Sequence, residues 1–449
     1  MRVYTDGKRF KQKAASLFLP RGQSALVVGP TGSGKTSSVM KPAVVCWGAG
    51  GAVVTSTKPD VLRTWANRAQ YGPVWLYDPT GSVGRPDLTV GWTPLLRCET
   101  WDHAVEAAAA MLAPHARDTT AKNAAHFAAM GRQLLAPLLH AAALSGAPIS
   151  EVRTWVLGGA FEVPLAALAK ANAVTARAEL LAIAGLPEGE HAGSIRATAA
   201  TALAWAVRDS IRASTDPAKT PQLDIDRLLT ECGTVYVVSP SRTMTELAPL
   251  TSALIDAIAG RALELAVQRG GRLSPPLLLA LDEAAHVSPI DSLPALLAEG
   301  GQQGVTCLVA LQDISQAYSR WGRDAAHTLW NNAGARVVLP GARRPAEPGT
   351  CVQANRRDRA MGSVGQQQLR LDVRLAHRPH LVGRAQLRPE PAAVGLLVHP
   401  LGAAPPCRRR RAHDARHGDP PSAVHQARLA DALPDVPGGC RSRAAASLL

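Results

Sequence analysis

Seven short apolar runs punctuate the chain. Three come early, at Ala25 to Gly29, Gly51 to Thr55 and Val74 to Asp78, and four come late, at Gly233 to Val238, Pro276 to Glu283, Val305 to Gln312 and Ala335 to Leu339. The early runs end in turn or helix-start residues: the glycine-rich stretch from Gly29, then Ser56-Thr57-Lys58-Pro59-Asp60, then Pro79-Thr80-Gly81. Short continuous apolar runs bounded in this way predict strands buried on both faces, and the rhythm of strand and helix start predicts βαβ units and a mainly parallel sheet. From Glu99 to about Thr215 the texture changes to alanine-rich sequence at helical spacing, with Val105, Ala109 and Leu112 on one face and Leu134, Leu138 and Leu139 on another. The pattern therefore predicts an α/β protein whose sheet is split by an inserted all-α block. The boundaries expected are 1–95 and 227–341 for the two parts of the sheet domain and 96–226 for the insertion. Thr251 to Gln268, with Leu254, Ile258, Ala262 and Leu265 in helical register, predicts an amphipathic helix between two late strands.

Composition adds to this pattern chiefly at the C-terminal end. Of the net charge of +14, the segment 331–449 carries most, with 19 arginines against 8 acidic residues, so the body of the chain is close to neutral. That segment contains no Ile, Phe, Tyr, Trp or Lys. Residues 342–449 are accordingly expected to be a largely disordered, Arg/Pro/Ala-rich tail. Three readings stand open for it: a basic arm that contacts phosphate, solvated low-complexity chain, and a segment translated out of frame. Seven cysteines, widely spaced and without a Cys-x-x-Cys pair, suggest neither a disulfide framework nor a zinc site. Met1 to Pro20 has no sustained apolar region, and Gln133 to Ser150 is interrupted by Pro137, Gly146 and Pro148, so the chain as given reads as soluble.

The chemistry begins at the end of the first run. Gly29-Pro30-Thr31-Gly32-Ser33-Gly34-Lys35-Thr36 fits Gly-x4-Gly-Lys-[Ser/Thr], placed between a strand and the helix start Thr36-Ser37-Ser38-Val39-Met40. In such a loop the backbone N–H groups turn inward around phosphates, and the helix N-terminus adds a favourable field for anions. Residues Gly29 to Ser37 are the expected nucleotide-binding set, with Lys35 on the β and γ phosphates and Thr36 on Mg²⁺. Asp282-Glu283 closes the strand that starts at Leu277, where a nucleotide hydrolase places one acid for Mg²⁺ and a second to activate water. Asp282 is thus the expected metal ligand and Glu283 the general base; a solvated helix start is the plainer alternative for such an acid pair. Gln312 ends the next strand, and in a parallel sheet its amide falls along the same crevice, as a γ-phosphate sensor or simply a strand-end cap.

These residues carry a resemblance. The phosphate loop with Pro42 after it, Ser56-Thr57-Lys58-Pro59-Asp60, Tyr77-Asp78-Pro79, Trp92-Thr93-Pro94-Leu95 and the block from Leu277 to Trp321 together resemble the type IV secretion coupling ATPases, the TraG/VirD-type conjugative proteins, in a form similar to actinobacterial members. The resemblance runs from about residue 20 to 341. It implies a RecA-like P-loop NTPase with an inserted all-α domain, using ATP and Mg²⁺. It further implies a homo-oligomeric ring, a hexamer in the family, at the cytoplasmic face of the membrane, feeding single-stranded DNA or a relaxase–DNA complex to a type IV secretion channel. Three departures accompany it. The transmembrane helices common in the family are absent here, Gly300-Gly301-Gln302-Gln303-Gly304 lacks the arginine that often follows this segment, and the tail after Gly341 does not resemble the family's last strands. An FtsK/HerA-like DNA translocase is the near alternative, opposed by the 96–226 block; a nucleotide-binding docking protein without turnover is the alternative from another class.

Overall fold

The computed structural model describes residues 22–339, apart from 116–123 and 188, together with the backbone of six short strands outside that range. Of the segment 342–449 only three such strands are described, so the expectations for the tail lie outside the described residues. Seven parallel strands form the centre: β1 (Ala25–Val28), β2 (Gly51–Ser56), β3 (Val74–Tyr77), β4 (Thr234–Val238), β5 (Leu277–Leu281), β6 (Val305–Leu311) and β7 (Ala335–Val338). They lie in the order β7-β1-β6-β5-β2-β4-β3. Each corresponds to one of the apolar runs, to within a residue or two at its ends.

Alternation of side chains across the pleat divides the core in two. On one face Ala25, Val27, Ala52, Val54, Tyr236, Leu278, Ala280, Leu308 and Ala310 pack with Val39, Met40, Ala43, Val44 and Trp47 of the helix that follows the glycine-rich loop. On the other, Leu26, Val28, Val53, Val235, Val237, Leu279, Leu281, Val309 and Leu311 join a larger apolar cluster that includes the helix Met244–Gln268 and reaches into the helical block. Strands buried on both faces cannot show a polar alternation, which is why they read as continuous apolar runs.

Among the described residues, the chain between β3 and β4 forms helices and turns with two isolated bridges. The helix Ala124–Ser145 is central there, packed against Trp101–Leu112, Ile149–Gly158, Glu162–Lys170, Val174–Ala184 and Glu190–Thr201. One expected face is rotated. Val105 is exposed at 42% and it is Ala104, Ala108, Met111 and Leu112 of the Trp101–Leu112 helix that are buried. Alanines let that helix approach its neighbours closely, and in an alanine-rich sequence the larger Val105 misleads a reading that weights size over spacing. The helix expected from Thr251 starts earlier, at Met244, and Leu247 to Ile255 are buried without interruption, so its first half lies inside the protein rather than on an amphipathic surface. No described helix is long and apolar enough to cross a membrane.

Candidate active site

Parallel registry brings the C-terminal ends of four strands together. Val28 pairs with Leu311 across β1 and β6, Leu281 with Val309 across β5 and β6, and Thr55 with Leu281 across β2 and β5. Gly29, Ser56, Asp282 and Gln312 therefore leave the sheet on the same side, the crevice side of an open α/β sheet.

The loop after β1 is held by that sheet. Gly29 N–H donates to Leu311 O at 3.0 Å, so the first residue of the loop is tied to the residue before Gln312. A Cβ at Gly29 would meet Ser33 Oγ at 2.6 Å and Leu339 Cβ at 2.8 Å, a space only glycine tolerates. Gly32 and Gly34 have φ of 80° and 90°, which any side chain resists. The chain then enters a wide π-helical stretch, Lys35–Met40, and continues as the α-helix Lys41–Cys46. Pro42 has no N–H to give to the preceding turn, and the widened turn lies just before it.

Lys35 is buried, 5% exposed, and its Nζ donates to Gly29 O at 2.6 Å and Pro30 O at 3.2 Å. The ammonium thus sits under the loop, with no carboxylate bonded to it among the described residues, close to where the phosphates of a nucleotide would be wrapped. Thr36 Oγ1 donates to Asp282 Oδ2 at 2.5 Å. Asp282 is 4% exposed, and Thr55 Oγ1 donates to its backbone oxygen at 3.0 Å. Burial pushes the Asp282 carboxyl above its usual range, and the charge of Glu283 adds to this, while the Thr36 hydroxyl and the Lys35 ammonium pull the other way.

Glu283 follows in the left-handed region, with φ 53°, and its N–H donates to Asp282 Oδ1 at 3.1 Å. A non-glycine residue held there stores strain. Gln312 Nε2 lies 3.0 Å from both Glu283 Oε1 and Oε2. One amide hydrogen is thus forked over the two carboxylate oxygens, and the other is left for a second acceptor.

Lys35, Thr36, Asp282, Glu283 and Gln312 therefore meet at one end of the sheet. Pro30 contributes a carbonyl that also accepts Ser33 N–H at 3.2 Å; Thr31 and Ser37 are exposed, and Ser37 Oγ reaches Gly34 O at 3.4 Å. Ser33 Oγ is buried within the loop without a hydrogen-bond partner among the described residues. A hydroxyl and a carboxylate in contact offer the hard oxygen donors that Mg²⁺ takes, and the loop offers the N–H cradle that phosphates take. Sequence reasoning missed Thr55 and Gln316. Thr55 had a signal, as the polar end of an otherwise apolar run; Gln316, in a polar helix start, had none. His286 is directed to Gln316, with 3.5 Å between Nδ1 and Nε2. A separate cavity of about 460 Å³ lies between the helices Trp101–Leu112 and Met244–Gln268, lined by Arg97, Leu263 and Glu264 among others and by none of the five convergent residues.

Residues 276–347, which include β5, β6 and β7, match the family described as the TraM recognition site of TraD and TraG. That segment is similar to the TraD and TraG coupling proteins. The match runs past Gly341, to residue 347. Solved structures share the fold over most of the chain. The bacterial conjugative coupling protein TrwBdeltaN70, in a trigonal form with sulphate, is 20% identical with a TM-score of 0.54, over 74% of this chain and 75% of that one. The plasmid coupling protein TrwB with ADP and Mg²⁺ is 20% identical with a TM-score of 0.55, over 74% of this chain and 76% of that one. The same protein with the GTP analogue GDPNP has a TM-score of 0.54 at 20% identity, over 84% and 83%. At this identity the likeness is one of fold: a RecA-like P-loop architecture, as expected. No curated protein matches the chain. None of these matches bears on an actinobacterial form.

Proposed function

We propose that the chain is an ATP-hydrolysing, Mg²⁺-dependent motor of the coupling-protein type, which recruits DNA or a nucleoprotein and drives it toward a type IV secretion channel. The observation that carries this reading is the meeting of Lys35, Thr36, Asp282, Glu283 and Gln312, contributed by the ends of three adjacent strands. In this reading Gly29 to Ser37 wrap the phosphates, and Lys35 exchanges its bonds to Gly29 O and Pro30 O for phosphate oxygens. Thr36 and Asp282 hold Mg²⁺, which when bound neutralises charge on the phosphate oxygens. Glu283 takes the proton of the attacking water, and Gln312 gives an amide N–H to the γ-phosphate. Relatives support the ligand class: TrwB is described in complex with ADP and Mg²⁺ and with a non-hydrolysable ATP analogue. A homo-oligomeric ring, a relaxase–DNA substrate and a station at the cytoplasmic face of the membrane are proposed on the same family basis.

A second reading, a nucleotide-binding docking protein without turnover, is favoured by one observation: Gly300 to Gly304 contains no arginine to complete a neighbouring subunit's site. Steady-state hydrolysis separates the two. The purified chain should hydrolyse ATP in the presence of Mg²⁺, and Lys35→Ala should lower the rate by at least about 10²-fold, because one charge-assisted contact to the transferred group is lost. Turnover unchanged in that variant removes the phosphate loop from the mechanism. Nucleotide binding with no turnover in the parent chain favours the docking reading. Stimulation by single-stranded DNA in a chain ending at Gly341 should persist, since the proposed DNA path lies in the motor; stimulation lost on truncation assigns it to the tail arginines.

A further inference from the structure

Gln312 has left the β6 ladder, so its backbone N–H needs a partner of its own. That partner is Gln316 Oε1, which accepts it at 2.9 Å. Gln316 lies in the first turn of the helix Ile314–Trp321, which Asp313 caps by accepting Ser315 N–H at 2.8 Å. Three links run from this one helix to the neighbourhood of Glu283. Gln316 fixes Gln312, whose amide bridges Glu283; Arg320 Nη2 donates to Pro289 O at 2.6 Å; Trp321 Nε1 donates to Ile290 O at 2.8 Å. The helix therefore grips both the Gln312 backbone and the segment that follows Glu283.

We propose that Gln316 is a positioning residue for phosphate sensing: by accepting Gln312 N–H it sets the direction in which the Gln312 side chain leaves the strand, so that one amide is shared between Glu283 and the γ-phosphate. The amide has two hydrogens: one is forked over both oxygens of Glu283 here, and the other can meet a phosphate oxygen. When the second hydrogen turns to a phosphate oxygen, the amide rotates off the fork and leaves one carboxylate oxygen for water, so readiness of the base is tied to the presence of the third phosphate. Without Gln316 the Gln312 backbone rotates more freely, and the amide loses its preset aim at both partners. This inference rests on the nucleotide reading above.

The test compares affinities by isothermal titration calorimetry, using ADP and a non-hydrolysable ATP analogue with Mg²⁺, in the parent chain, Gln316→Ala and Gln316→Glu. The parent should prefer the analogue. Gln316→Ala should lower that preference about five- to tenfold, the worth of about one hydrogen bond, while its ADP affinity stays within about twofold. Gln316→Glu keeps the acceptor and should retain the preference. No preference in the parent, an unchanged preference in Gln316→Ala, an equal loss in Gln316→Glu, or a matching loss of ADP affinity each overturns the inference. A parent chain that binds neither nucleotide overturns the nucleotide reading instead.

Discussion

Thr36 and Asp282, 246 positions apart in sequence, share a hydrogen bond of 2.5 Å from hydroxyl to carboxylate. The contact joins the helix after the phosphate loop to the end of β5, and it defines the proposed metal site. It also holds a carboxylate where burial disfavours its charge. Because its pKa in the folded chain is raised, the protonated form contributes stability that is full below the ordinary carboxylate range and is lost as pH rises through the folded value. At neutral pH the ionised group is a cost, offset in part by the Thr36 hydroxyl and the Lys35 ammonium and further when a cation binds. Asp282→Asn keeps an acceptor for Thr36 and removes that cost. The variant should be more stable than the parent by on the order of 1 kcal/mol at pH 7 in the absence of Mg²⁺ and nucleotide, measured by denaturant unfolding, and should lose hydrolysis. A less stable variant would show that the charge is compensated within the protein.

Glu283→Gln should separate binding from chemistry. The amide is nearly isosteric and sits beside Gln312, so nucleotide affinity should stay within a few-fold while hydrolysis falls by about 10²- to 10⁴-fold, the usual worth of a general base. Loss of binding in calorimetry would recast Glu283 as a ligand or a structural residue.

Arg68 predicts the opposite separation. It is fully buried at the other end of the sheet, where its guanidinium donates to Gly48 O and Gly50 O, each at 2.7 Å, and to Thr234 Oγ1 at 2.9 Å. Burial lowers its pKa from the usual arginine value, yet that value lies so far above neutrality that the charge persists. Arg68→Ala leaves these acceptors in a dry site and should cost about 3 kcal/mol or more in chemical denaturation, with Kd for nucleotide unchanged in the folded fraction. Arg68→Lys, with one ammonium in place of a fork, should recover little.

The helical block is proposed to be a unit of its own. The Ala124–Ser145 helix gathers five others around it, while contact with the sheet domain runs largely through the packing of Trp101–Leu112 on Met244–Gln268. Residues 96–226 made alone should give a helical circular dichroism spectrum and one cooperative urea transition, at a lower midpoint than the whole chain because that face is uncovered. A spectrum without cooperative unfolding would tie the block to the sheet for its folding.

The strands were legible because a strand buried on both faces must be apolar along its whole length, and the phosphate loop because its glycines and Lys35 have few other uses in that order. Neighbourhood in the sheet was not. Nothing local in Ala25–Val28 says that it lies between β6 and β7, which follow it by some 280 residues and more. Gln312 could be placed at a strand end, but its bond to Glu283 depends on registry between strands. Arg68 escaped notice because its partners are mostly backbone carbonyls, which leave no mark in side-chain sequence. Gln316 is hidden for the same reason, through the Gln312 N–H.

The position of β1 bears on how the chain is made. At ordinary synthesis rates of about 5–20 residues per second, the first central strand waits roughly 15 to 60 s for β6 to emerge. During that interval both of its edges lack their native neighbours, and the glycine-rich loop has no Leu311 carbonyl to hold Gly29. A nascent or prematurely ended chain thus carries the phosphate-loop sequence without the strands that shape it, so the candidate site takes form only after nearly all of the sheet has left the ribosome. The order of strands works as a check on completeness, and the unpaired first strand is the segment on which a holding chaperone would be most needed.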